Sequence, residues 1–183
     1  MIKISEKGLE QVDKILEDLP NVAKDIKLRA VRRAALAAKA EASRQGRNRY
    51  NLKSEEINKT FVFTKPNKNN ISATLVSTGE RIRLIKYNVN PKNVPKKRRV
   101  VKVSVIKGQG MKTLESAFVA KMQNGTVGVF QRRGRERVPI KQLYGPSVPQ
   151  LFKEPTVKNA ILKKAEDVLE NRITHELGRY IGE

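Results

Sequence analysis

Between Asn21 and Arg44 the chain contains neither glycine nor proline, and Val22, Ile26, Ala30, Ala34 and Ala37 or Ala38 recur on one stripe at helical spacing. This segment constrains the fold more than any other. A helix over it would be roughly 36 Å long at 1.5 Å per residue, and the rest of the chain has to cover its apolar side. That side is mostly alanine, so a second helix or a sheet can approach closely. Arg29, Arg32, Arg33 and Lys39 fall elsewhere on the same helix and read as a solvated face. Upstream, Leu9, Val12, Ile15, Leu16 and Leu19 give residues 8 to 19 the period of a first amphipathic helix, which Pro20 stops or bends. Gly46 to Tyr50 reads as a breaker, so the helical region is expected over residues 1–45.

Beyond the breaker the pattern changes to short runs rich in β-branched and aromatic residues, separated by Asn, Gly or Pro. They are Thr60–Thr64, Asn70–Val76, Arg81–Tyr87, Val100–Ile106, Ala117–Met122 and Val127–Gln131. These predict an antiparallel meander of five or six strands within residues 58–138. Val101, Val103 and Val105 alternate with Lys102 and Ser104, which predicts one buried and one wet face. Asn124-Gly125 suits the positive φ angles of a tight hairpin turn. Further on, Pro155 can occupy the first turn of a helix, and Val157, Ile161, Ala165, Val168, Ile173 and Leu177 carry a helical stripe over residues 155–181. Helices in blocks at the ends of a strand-rich middle make the fold class α+β, and a length of 183 residues suits a single domain over 1–183.

The sequence points away from catalysis. His175 is the only histidine and has no triad or metal-ligand spacing around it, so it reads as a helix-surface residue. Carboxylates are scattered, the adjacent pairs being Glu17-Asp18, Glu55-Glu56 and Glu166-Asp167. A magnesium nuclease needs them clustered. There is no phosphate-loop glycine pattern beyond a lone Gly108-Gln109-Gly110 turn, so neither a cofactor nor a metal is expected. Cysteine is absent, which fits a reducing compartment. The first residues lack a secretory apolar region, and no run of about 18 apolar residues would span a membrane. No membrane partner is expected.

Charge is the strongest functional signal. The net charge is +21, and no acidic residue lies between Glu80 and Glu115, where eleven Lys and Arg side chains fall. The densest part, Lys92, Lys96, Lys97, Arg98 and Arg99, sits in a proline-containing loop over residues 91–99 between two strands. Such a loop binds phosphate backbones through counterion release without reading sequence. Aromatic residues do not interleave with it, which argues against a single-strand stacking platform and for duplex DNA. A second cluster, Arg132, Arg133, Arg135 and Arg137, precedes a proline-punctuated segment over residues 139–154. There Pro139, Pro146 and Pro149 exclude a regular helix or central strand. Leu143, Tyr144, Val148, Leu151 and Phe152 read as apolar anchors of a structured docking loop.

The run from Arg132 to Phe152, RRGRERVPIKQLYGPSVPQLF, resembles the signature of the tailed-phage minor tail protein Z family of tail-completion proteins. The similarity extends to the helix ending NRITHELGRY at Tyr180 and to the alanine-rich helix followed by RQGRNRY at Tyr50. The resemblance implies a structural virion protein that is made in the bacterial host cytoplasm and takes part in head–tail joining. Its copies would form a ring, commonly sixfold, around the DNA path at the head-proximal end of the tail. The partners implied are further copies of the chain, other tail and connector proteins, and the double-stranded DNA backbone in the lumen. On charge alone, a sequence-independent module bound to ribosomes or DNA is the alternative.

Overall fold

The computed structural model describes residues 2–4, 9–97, 99–134 and 136–182. In chain order the elements are strand β1 (Ile2–Ile4), helices α1 (Glu10–Ile15), α2 (Pro20–Arg49) and α3 (Ser54–Asn58), and strands β2 (Phe61–Thr64) and β3 (Ala73–Ser77). A 3₁₀ turn (Leu84–Lys86) follows, then β4 (Asn88–Asn90), β5 (Val101–Ser104), β6 (Lys112–Leu114), β7 (Ala117–Lys121), β8 (Val127–Arg132) and β9 (Ile140–Gln142). Helices α4 (Val148–Leu151) and α5 (Pro155–Ile181) close the chain. The two long helices flank the strand-rich middle, so the class is α+β. The strands do not form one meander. They make three separate three-stranded antiparallel sheets, ordered β1-β3-β2, β4-β5-β6 and β7-β8-β9. The chain divides into two compact units, one of residues 1–43, 61–78 and 152–183, the other of residues 44–60 and 79–151.

In the first unit, α2 starts at Pro20, whose missing N–H is harmless in a first turn; the proline begins the second helix as well as ending the first. Ala23, Ile26, Ala30, Val31, Ala34, Ala35, Ala38 and Ala42 are buried, a face wider than the predicted stripe. Val12, Leu16, Ala23 and Ile26 form a cluster against which Val22, Ile173 and Leu177 pack. Helix α1 is shorter than its period suggested. Leu9, Val12 and Leu16 turn inward, while Ile15, the last residue of the helix, and Leu19, beyond it, are about half exposed. A carboxylate is buried here, which no local pattern foretells. Glu176 is 2% exposed, with Arg172 at 2.6 Å and Arg29 at 3.5 Å, so Arg29 is not merely a solvated charge. In the sheet, Ile2 and Phe63 both oppose Leu75, and the Phe61 ring meets that of Phe152 at 5.4 Å between centroids. Helix α5 begins at Pro155 and ends on Gly182 at φ 91°, a left-handed cap.

In the second unit, Gly46 is not a breaker. It lies inside α2, where an added Cβ would stand 3.0 Å from Cδ1 of the fully buried Ile57. The glycine is there for close approach and not for termination. The hairpin between β7 and β8 forms where predicted, with a different turn. Only Gly125 takes a positive φ, and the Gly125 N–H donates to Met122 O while the Met122 N–H donates to Thr126 O. That is the longer connection, a turn followed by one left-handed residue. Arg81–Tyr87 is not a strand. Arg83 makes a single bridge to Tyr144, and the next residues coil into the 3₁₀ turn. On β5, Val101 and Val103 are buried and Lys102 exposed, yet Ser104 is buried too. Its hydroxyl donates to Gln109 O at 2.7 Å and accepts from Asn51 Nδ2 at 3.0 Å, which removes the cost of leaving water.

Candidate nucleic-acid and assembly interfaces

Formal charge is unevenly divided between the units. Residues 44–60 and 79–151 carry 22 Lys and Arg against 5 Asp and Glu, a net +17, whereas the other unit carries the remaining +4. The first unit pairs many of its charges internally, as Lys27 with Asp13 and Lys68 with Asp25. The acids of the second unit that form pairs sit on α3, where Glu55 and Glu56 meet Lys59 and Lys86. Lys59 holds the Glu55 carboxyl below its ordinary pKa through a hydrogen bond and its charge.

Within that field the basic segment is the β4–β5 connection. Residues 90–97 and 99 curl around a concavity of about 530 Å³. Lys96, Lys97 and Arg99 are exposed, and among the described residues none of them has an ion-pair partner. Arg98 lies outside the described residues, as does Arg135. Lys92 has a structural part that its sequence context does not display. Its ammonium donates to Ile85 O at 2.6 Å and Tyr87 O at 2.8 Å, pinning the base of the loop to the 3₁₀ turn. Partial burial, with Lys53 and Lys86 nearby, lowers its pKa from the ordinary lysine value. Of the arginine cluster, Arg132 ends β8, and Arg133 and Arg137 lie in the connection to β9. Arg133 and Arg137 are exposed. Arg132 is engaged, with its guanidinium 5.4 Å from the centroid of the Phe118 ring and Nη1 donating to Glu136 O.

Residues 139–151 of the proline segment belong to the second unit and are bonded into it. Leu143 N–H donates to Val129 O at 2.8 Å, Leu84 N–H to Leu143 O at 3.0 Å, and Gly145 N–H to Ile82 O at 2.8 Å. The main chain of residues 82–84 is therefore committed to this segment, which is why the run from Arg81 does not enter a sheet. Beneath it the buried Tyr87 donates its hydroxyl to Pro146 O at 2.6 Å, and burial pushes its pKa up. Gly145 lies on that ring so closely that a Cβ would fall 2.5 Å from Cε2. Val148 and Leu151 are fully buried, so they leave the set of docking residues: their apolar surface is already covered in the free chain. Phe152 is half-buried against Phe61 in the first unit and is likewise occupied. Leu143 is half-buried. Tyr144 remains 48% exposed, its hydroxyl donating to Gln142 Oε1, on the rim of an open groove of about 670 Å³ lined by Leu84, Val103, Val105 and Leu114.

Tyr87→Phe is expected to lower the unfolding free energy by about 1–3 kcal/mol, because the Pro146 carbonyl loses its donor in a partly buried setting. Urea denaturation reads this as a lower midpoint with an unchanged slope. A midpoint equal to wild type would mean that water replaces the hydroxyl.

Among the described residues, no helix is long and apolar enough to cross a membrane, and no group of three or more His, Cys, Asp or Glu is placed to hold a metal ion. A family model described as prophage minor tail protein Z matches residues 6–182. No curated protein and no solved structure matches the chain.

Proposed function

The chain belongs to the prophage minor tail protein Z family and is a structural protein of the phage tail; from that premise we propose that it is a tail-completion component, its copies forming a ring around the DNA path at the head-proximal end of the tail. It would enter the virion after synthesis in the host cytoplasm, and its neighbours would be further copies of itself and other tail and connector proteins. The observation that carries the DNA-facing part is the segregation of charge. A net +17 on one unit is costly without a polyanion, counterions or anionic neighbours to offset it. Lys96, Lys97 and Arg99, with Arg133 and Arg137, supply its exposed cations in two connections and face the DNA backbone.

Tyr144, with the half-buried Leu143 beside it, is the docking residue toward the adjacent copy or the tail. Tyrosine covers a large area for two rotatable bonds, and the stitched backbone on either side of it limits the entropy lost on binding. Tyr144→Ala is expected to leave the monomer folded and to shift sedimentation velocity from a ring-sized species toward monomer, with loss of joining in a head–tail complementation assay. Wild-type sedimentation and joining in this variant would remove Tyr144 from the contact. A wild-type chain that stays monomeric under all conditions while retaining RNA would instead favour a free nucleic-acid-binding module.

A further inference from the structure

A second concentration of positive charge shares only Lys92 with the two basic connections. The last turn of α2 brings Arg47, the residue before α3 brings Lys53, the 3₁₀ turn brings Lys86, and the residues after β4 and β5 bring Lys92 and Lys107. All five line one concave pocket of about 430 Å³, together with Tyr87. None of this clustering is visible as a run in the sequence, since the cations span residues 47 to 107.

The pocket is held by long-range main-chain bonds. Asn51 N–H donates to Val105 O at 2.9 Å, Lys107 N–H donates to Arg49 O at 2.8 Å, and Tyr50 bridges to Ile106. These tie the end of α2 to the end of β5 and fix Lys107 near Arg47. Behind them Tyr50 and Tyr87 meet edge to face, with ring centroids 6.3 Å apart, and Tyr87 is anchored through its hydroxyl. Lys92 is immobilised by its two carbonyls, so its charge is already in place. Lys86 is partly neutralised by Glu56 at 2.9 Å. Among the described residues Arg47, Lys53 and Lys107 form no ion pair, and all three are exposed.

Five cations converging on a concave surface with one acid beside them have an excess charge that an anion would offset. We propose that this pocket binds one phosphate group of a DNA backbone, a site additional to the basic loop; the inference rests on the DNA-facing reading above. Lysine ammoniums bind phosphate as point charges, and several arranged around a cavity can approach a tetrahedral anion from different sides. The surrounding unit, with its net +17, draws a polyanion toward the pocket.

The test uses the full chain and a fluorescein-labelled mixed-sequence DNA duplex, with anisotropy followed across a salt series. Arg47→Gln/Lys53→Gln/Lys107→Gln is expected to reduce the slope of log Kobs against log[salt] by about 0.9 and to weaken binding roughly eightfold at 0.1 M salt, the effect of losing one neutralised phosphate. Thermal melting should be unchanged, because the three side chains are exposed. Lys53→Arg/Lys107→Arg, which keeps the charge, should retain the wild-type slope. An unchanged slope in the glutamine variant overturns the site, as does an equal loss in the arginine variant. If Lys96→Gln/Lys97→Gln/Arg99→Gln flattens the slope and the pocket variant does not, this inference falls while the DNA-facing reading stands; if neither does, both fall. Two further probes are decisive against it. Inorganic phosphate binding as tightly as the duplex would mark a free-anion site, and a polyglutamate peptide bound more tightly than DNA and lost in the pocket variant would mark an acidic protein partner.

Discussion

Leu151→Ala is expected to lower the unfolding free energy by about 2–5 kcal/mol, while Tyr144→Ala, seven residues earlier in the same segment, changes it by no more than about 0.5 kcal/mol. Leu151 has no exposed surface, and it ends α4 at the point where the chain leaves the second unit. Truncating it removes buried methyl groups and leaves a cavity that its neighbours can fill only in part. Set against a typical domain stability of about 5–15 kcal/mol, that is a large fraction. A loop waiting for a partner would behave in the opposite way, with Leu151→Ala silent in the free chain and harmful only in the assembly. Urea unfolding of the two variants separates these cases. A loss under about 1 kcal/mol for Leu151→Ala would mean that the segment is not part of the folded core.

Reversal of the basic loop, Lys96→Glu/Lys97→Glu/Arg99→Glu, is expected to flatten the salt dependence of duplex binding by roughly 2.7 in slope and to weaken binding at 0.1 M salt by at least about 500-fold, if each cation neutralises one phosphate. The size follows from counterion release, with added repulsion from the new carboxylates. Folding should be unaffected, since these side chains are exposed and have no ion-pair partner among the described residues. Arg32→Glu/Arg33→Glu, on the exposed side of α2 in the other unit, is the matching control and should alter the slope far less. An unchanged slope in the loop variant, or an equal change in the control, would remove the loop from any DNA contact.

Much of the fold was legible because it rests on neighbours in sequence. The glycine- and proline-free run from Asn21 became α2, and Pro155 and Gly182 bound α5 as a first-turn proline and a left-handed cap should. Asn124-Gly125 marked a hairpin that forms, although its turn uses one positive φ angle. The errors share a cause. Gly46 looked like a stop, but its role depends on Ile57, eleven residues away; Arg81–Tyr87 looked like a strand, but its backbone is claimed by residues 143–145. In the candidate sites, Lys96, Lys97, Arg99 and Tyr144 are exposed, a condition any DNA-facing or docking role must meet. Val148, Leu151, Phe152, Lys92 and Arg132 are each engaged by a contact the sequence does not display.

The sequence by itself determined the α+β order, the two long helices, the hairpin, the excess of positive charge and the family signature, because periodicity, φ preference and ionisation are properties of a residue and its near neighbours. Only the tertiary structure decided which apolar side chains of the proline segment are interior, which lysine pins the loop, and that Arg47, Lys53, Lys86, Lys92 and Lys107 share one pocket. Burial and convergence of charge depend on contacts between segments tens of residues apart, such as the Tyr87 hydroxyl on the Pro146 carbonyl, and a local pattern carries no record of them.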